Sequence, residues 1–264
     1  MCRHLAAVGD AVPVAELLLD ARNALVRQAW APRRQSHGVV AADGFGLGWY
    51  PREQGPRAPD GGALPLLHRG CDPVWSDETF AQTARHVQAG AVLASVRSAT
   101  AGTARGVGAA MPFRHGRHLF AHNGALDGWP DAAAPLAATV GTRRLLRMEA
   151  MTDAALLWAL VLDRLDLGAD LVDAVAGVVD TARTMCGGRL NLLATDGVRI
   201  VATAAGASLS YRVRATDDDA AATDRRPGHV VVASEPVDDA PGWVDVPDDS
   251  LVVATTSGVR VEAL

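Results

Sequence analysis

Two neighbouring stretches of helical periodicity, 152–167 and 170–185, split a chain that is otherwise dominated by short strand-like segments, and this order constrains the fold more than any other feature. Thr152 stands where an N-cap belongs, and Gly187-Gly188 supplies a stop for the second helix. Strands, then helices, then strands predict an α+β layered architecture rather than a parallel βαβ array. Ahead of the helices, residues 2–8 alternate as a strand. Pro13 opens a helical stretch carrying Val14, Leu17, Leu18 and Leu25 through to Trp30. The segment 39–50 reads as a hairpin around Asp43-Gly44, and 51–65, with four prolines, as a surface loop. A helix is predicted over 77–89 with Ser76 as its cap, followed by strands at 91–97 and 118–122. Beyond 190 the expected strands are 190–195, 198–203, 208–213, 229–234 and 250–254. The polar stretch 216–228 interrupts them as a mobile loop. No repeat or linker divides the chain, so residues 2–264 are expected to form one domain.

All 25 basic residues among the 264 are arginine, and lysine is absent. Schiff-base chemistry, P-loop phosphate binding, kinase chemistry and Ser–Lys dyads all need an ε-amine and are therefore excluded. A net charge of −5 argues against a nucleic-acid partner. Three cysteines, Cys2, Cys71 and Cys186, make no disulfide framework and fit a cytoplasmic setting. The most apolar run, Leu156–Leu162, is cut by Asp163-Arg164, short of the ~20 residues a membrane span needs. Asp10 and Glu16 stand where an export signal would need an apolar run.

Cys2 follows the initiator Met directly. Removal of Met1 would place a thiol and a free α-amine on one residue, with ordinary pKa values of about 8.5 and about 7.7–8.0. Nucleophile and general base would then coincide, as in the N-terminal Thr variant of the catalytic dyad. The plainer reading is a small buried side chain. Asn123-Gly124, after a predicted strand, offers a side-chain amide and a backbone N–H as oxyanion donors, or else an ordinary turn. Arg97 could grip a carboxylate with Thr100 beside it, or form a surface ion pair. Asp153 could hold an ammonium group, or simply complement the helix dipole. His115, His118 and His122 have no carboxylate or thiol joining them, so no metal is expected. Gly44-x-Gly46-x-Gly48 lacks the spacing of a dinucleotide loop and reads as a hairpin that lets backbone approach a substrate. Arg143, Arg144 and Arg147 read as a solvated helix face, Cys71 and Cys186 as structural, and Trp30, Trp75 and Trp129 as packing or leaving-group walls.

Taken in order, Cys2, Asp43-Gly44-Phe45-Gly46, Arg97-x-x-Thr100, His122-Asn123-Gly124 and Thr152-Asp153 resemble the class II glutamine amidotransferases. The resemblance spans roughly 2–254. It implies the N-terminal-nucleophile hydrolase fold, a four-layer αββα sandwich. More narrowly, MCRHLA, QAWAPRRQSHG, ADGFGLGWY, MPFR, FAHNG and VASEPVDDAPGW resemble the γ-glutamyl hydrolases of ergothioneine formation. Those remove glutamate from γ-glutamyl-hercynylcysteine sulfoxide.

The resemblance implies Cys2 as nucleophile, Asn123 and Gly124 as oxyanion hole, Arg97 and Thr100 on the glutamyl carboxylate, and Asp153 on its ammonium. It implies no cofactor, and a small γ-glutamyl molecule as partner. Many relatives carry Ser-Asp-Ser-Glu where this chain has Thr152-Asp153-Ala154-Ala155. The chain also lacks the acceptor domain of the synthases, which fits a stand-alone hydrolase. The competing expectations are a glutaminase subunit feeding a separate synthase, and a non-catalytic γ-glutamyl-binding module.

Overall fold

The computed structural model describes residues 2–34, 40–51, 55–58, 61–215 and 227–264. In chain order the strands are β1 (Arg3–Pro13), β2 (Phe45–Trp49), β3 (Leu66–Gly70), β4 (Gln88–Val96), β5 (Phe113–His115), β6 (His118–Leu126) and β7 (Gly188–Thr195). They continue with β8 (Arg199–Ala204), β9 (Ser210–Ala215), β10 (Pro227–Ala233), β11 (Trp243–Asp245), β12 (Ser250–Thr255) and β13 (Gly258–Ala263). The α-helices are α1 (Leu25–Gln28), α2 (Glu78–His86), α3 (Ala134–Ala137), α4 (Thr142–Leu145), α5 (Asp153–Asp166) and α6 (Leu171–Met185). Seven strands form one sheet, β11-β9-β10-β1-β4-β2-β3, and six form the other, β13-β12-β8-β7-β6-β5. The named pairings are antiparallel throughout.

Side-chain alternation explains the layering. Along β1, Ala6 and Val8 join the cluster that holds Leu93 and Leu119 between the sheets and continues through Phe120 to α5 and α6. Leu5 and Ala7 join Leu18, Phe45 and Phe80 on the opposite face, under α1 and α2. The run Val230-Val231-Val232 is buried on both faces for the same reason. Every residue from Asp153 to Leu162 is buried, so the first ten residues of α5 are covered all round, and Phe120 stacks on Trp158 with ring centroids 5.0 Å apart. Each such apolar side chain contributes roughly 1.5–3 kcal/mol. The layers are therefore helix, sheet, sheet, helix: the expected αββα sandwich of the N-terminal-nucleophile hydrolases.

Thr152 caps α5 as predicted, accepting the Ala155 N–H at 3.1 Å, and Asp170 caps α6. Other expectations need correction. Pro13 closes β1 rather than opening a long helix; a helical turn over Glu16–Asp20 and the short α1 replace it, broken between them. Asp43-Gly44 is no hairpin turn: β2 begins at Phe45 and pairs with β3 and β4, while Asp43 is engaged by Arg97 and Ala99. Asp77, not Ser76, caps α2, its Oδ1 accepting the Phe80 N–H at 2.7 Å. Of the expected mobile loop 216–228, residues 216–226 lie outside the described residues, and Pro227-Gly228 belong to β10. Strands β3, β5, β11 and β13 went unpredicted. Arg144 is not solvated but clamps Asp163 and Asp166. Cys71 is exposed, and Cys186 is half-buried. Among the described residues no helix is long and apolar enough to cross a membrane, and no group of His, Cys, Asp or Glu could hold a metal ion.

The inter-sheet core also buries His4, whose two ring nitrogens have no partner among the described residues. Burial pushes its pKa down to about 3, with His122 and Arg3 adding to the effect; burial likewise brings His229 to about 4. An unfolded histidine titrates near 6.5, so these neutral rings stabilise the fold fully above that pH and progressively less below it. Acidification from pH 6.5 to 4 is expected to remove roughly 3 kcal/mol through His4. Chemical denaturation across this range should show the loss, and His4→Leu should flatten the profile.

Candidate active site

The antiparallel register of β1 and β4 pairs Arg3 with Val96. Cys2, one residue before Arg3, therefore meets Arg97, one residue after Val96. The N-terminus of α5 and the middle of β6 close the same hollow. Cys2, Arg97, Thr100, Gly124 and Asp153 line it together, with Ser98, Thr103, Met111, His122, Thr152 and Ala154. Five of the six predicted site residues thus share one pocket. The hollows beside Trp158 and between α6 and β13 contain none of them.

Cys2 is 6% exposed, and its thiol lies 3.7 Å from the Ser98 carbonyl oxygen. Burial pushes the thiol pKa up, against the opposing charge of Arg97. Burial thus favours the neutral thiol over the thiolate.

Arg97 is 4% exposed, and its guanidinium donates to the Asp43 carbonyl at 3.4 Å, the Thr103 hydroxyl at 3.1 Å and the Ala104 carbonyl at 2.8 Å. These acceptors are neutral, so no carboxylate among the described residues cancels its charge; the surface ion pair is not what forms. Asp153 is 5% exposed. Its Oδ2 accepts the Leu126 N–H at 3.2 Å and its Oδ1 the Ala154 N–H at 2.8 Å. No arginine or histidine among the described residues pairs with it. A buried cation and a buried anion, each held by neutral groups, face one narrow space.

Asn123 is not among the residues lining the hollow, although its neighbours His122 and Gly124 on β6 are. It is fully buried, with Nδ2 3.4 Å from the Ser234 hydroxyl and Oδ1 unpartnered among the described residues. The glycines of β2 are required by packing. A Cβ on Gly46 would stand 2.4 Å from the Met111 carbonyl oxygen, and one on Gly48 2.6 Å from Leu119. Both allow close packing of the sheets. Trp30 and Trp75 meet edge-to-face at 5.5 Å, while Trp129 donates to the Gly102 carbonyl; none of the three lines the Cys2 hollow.

Sequence reasoning gave no site role to three further polar residues. His122 lines the hollow, with Nε2 2.9 Å from the Arg189 carbonyl oxygen, and its motif was the only available signal. Thr103 steadies Arg97. Glu235 is wholly buried and accepts from the backbone of Arg33 and Arg34 and from Asn23, joining the QAWAPRRQSHG and VASEPVDDAPGW segments.

The family model described as glutamine amidotransferases class-II matches residues 21–263. A γ-glutamyl-hercynylcysteine sulfoxide hydrolase from Mycobacterium tuberculosis is 38% identical over 265 residues, covering 100% of this chain and 97% of that protein. A protein of the same name from Mycolicibacterium smegmatis is 36% identical over 264 residues, covering 100% of both. A solved glutamine aminotransferase class-II domain protein from Silicibacter pomeroyi superposes with a TM-score of 0.63 at 22% identity, over 99% of each chain.

Gly124 has a steric role whatever the chemistry. A Cβ there would lie 1.8 Å from the Arg189 carbonyl oxygen and 2.6 Å from His122 Nε2. Gly124→Ala must push β6 from β7, and a cost of about 1–3 kcal/mol is expected from such overpacking. Thermal unfolding of the variant should show the lowered midpoint.

Proposed function

The chain belongs to the class II glutamine amidotransferases, and on that premise we propose that it is an amidohydrolase cleaving the γ-glutamyl amide of γ-glutamyl-hercynylcysteine sulfoxide. The products are glutamate and hercynylcysteine sulfoxide, a step of ergothioneine biosynthesis. The observation that carries this reading is identity of 36–38% along the whole chain with hydrolases of that name. The convergence of Cys2, Arg97 and Asp153 in one pocket supports it chemically.

A γ-glutamyl group carries one carboxylate and one ammonium at its α-carbon. The reading assigns the carboxylate to Arg97 and Thr100 and the ammonium to Asp153. The γ-carbonyl then faces Cys2. Loss of Met1, which lies outside the described residues, frees the α-amine of Cys2. That amine takes the thiol proton, directly or through water, and the sulfur attacks the γ-carbonyl. The resulting oxyanion is held by Asn123 and the Gly124 backbone N–H. The ammonium returns its proton to the departing amine nitrogen as the C–N bond breaks, leaving a γ-glutamyl thioester on Cys2. Water, deprotonated by the same amine, hydrolyses the thioester and releases glutamate with the thiol restored. No step calls for a metal or organic cofactor. We take residues 2–264 as a single catalytic domain working in the cytoplasm on a small molecule.

Cys2→Ala is expected to abolish glutamate release from γ-glutamyl-hercynylcysteine sulfoxide while substrate still binds by calorimetry. Full activity in that variant excludes the thioester. Asp153→Asn should raise KM at least about tenfold by removing the ammonium's counter-charge from a buried site. In the parent enzyme kcat/KM should rise with pH through about 7.7–8.0 as the α-amine loses its proton. Preference for free glutamine over the sulfoxide conjugate in the same assay would instead mark a glutaminase.

A further inference from the structure

The polar network behind the pocket contains an inconsistency that one rotation removes. Ser234 is wholly buried, and its hydroxyl oxygen accepts the His4 backbone N–H at 3.0 Å. It also faces the Asn123 Nδ2 at 3.4 Å. In this orientation the hydroxyl accepts twice, and its own proton has no acceptor among the described residues. The Asn123 Oδ1, also buried, has no donor. Two complementary groups, one O–H and one C=O, are thus left unused within a single side chain's reach of each other. Such pairs are uncommon in protein interiors, because each unsatisfied buried group costs about 1–3 kcal/mol. A carboxamide turned by 180° about its last bond keeps its shape and exchanges its nitrogen and oxygen.

We propose that Ser234 is a positioning residue for the reaction: its hydroxyl donates to the Asn123 carboxamide oxygen and so turns the Asn123 nitrogen toward the reacting carbonyl. This rests on the reading of Asn123 as an oxyanion donor. The turn satisfies the hydroxyl completely, since it accepts from His4 and donates to Asn123. It also leaves the amide N–H groups unspent where the orphaned oxygen stood. Ser234 is itself rigidly placed. Its N–H donates to the His4 carbonyl at 2.9 Å, and its carbonyl accepts the Ser208 hydroxyl at 2.7 Å. Because His4 lies two residues along β1 from Cys2, the same strand that carries the sulfur fixes the hydroxyl that aims the amide. Donor and nucleophile are registered to one another through a single strand.

The test is a double-mutant cycle on the full-length, Met1-processed enzyme, with γ-glutamyl-hercynylcysteine sulfoxide as substrate. Ser234→Ala is expected to lower kcat about ten- to a hundredfold, with KM changed less than about twofold. In an Asn123→Ala background the same substitution should change kcat by less than about twofold, because the amide it orients is gone. Equal losses in both backgrounds, or a loss expressed in KM alone, would overturn the proposal and leave Ser234 as a support for β10. Full activity of Asn123→Ala would overturn it differently, by removing the oxyanion donor itself while Cys2 chemistry stands.

A γ-aldehyde analogue of glutamate, which adds to the Cys2 thiol to give a tetrahedral oxyanion, supplies a readout in the unaltered enzyme. Side-chain amide NMR of Asn123 should shift when the aldehyde binds and not when glutamate binds. An unshifted signal contradicts the turned amide even where Ser234→Ala does not fold.

Discussion

The pairing of β1 with β4 is the constraint on which the site depends. With Arg3 opposite Val96, the residues that overhang each strand end are Cys2 and Arg97. A slip of one residue would turn every β1 side chain to the other face. Cys2 would leave the pocket, and His4 with Ala6 would leave the inter-sheet core for the layer beneath α1 and α2. The register is held on both edges, because β1 also pairs with β10 from Leu5 against Ala233 to Gly9 against His229. Apolar burial on both faces of β1 therefore fixes a thiol beside a guanidinium without any direct attraction between them.

The helical layer was legible because its signals are local and strong. Thr152 and Asp170 precede long apolar periods, and Gly187-Gly188 ends the second with positive φ values of 75° and 127°. The errors occurred where a local signal met a distant partner. Asp43-Gly44 carries the residue types of a hairpin turn, yet Asp43 donates its N–H to the Arg97 carbonyl and accepts from the Ala99 N–H, more than fifty residues away. That tertiary demand outweighs the turn preference. Ser76 and Asp77 are both able to cap, and only the geometry of the preceding tight turn selects the second. Strands β3 and β11 are short, and β13 lies at a sheet edge with a half-exposed pattern, so none has the continuous apolar run that betrays β10.

Much the same division holds for the site. Cys2, Arg97, Thr100, Gly124 and Asp153 could be named because each is a chemically specific residue in a recognisable order. Ser234 and Glu235 could not, since each is defined by what surrounds it. Adjacent in sequence, they serve different structures: Ser234 meets His4 and Asn123 behind the pocket, while Glu235 gathers Asn23 and the backbone of Arg33-Arg34. Arg3 occupies a related position beside Cys2. It is 1% exposed, and burial lowers its pKa while the Glu235 charge raises it. A short stretch of β1 thus presents a thiol near one network and a cation near another.

The charges of the pocket carry a further consequence for recognition. Arg97 and Asp153 are each buried against neutral partners, so folding has already met much of the desolvation cost that binding would otherwise incur. A γ-glutamyl head group with both α-charges can satisfy both residues at once, whereas a molecule lacking either would leave a buried charge unpaired. Under the proposed assignment this favours the glutamyl half. It gives no preference for what lies beyond the scissile bond, because glutamine and a γ-glutamyl conjugate present the same α-carbon. Discrimination between them must arise from groups on the leaving-group side, outside the Arg97–Asp153 pair. A buried thiol suits that division. Under the proposed mechanism its base is carried on the same residue, whatever amine departs.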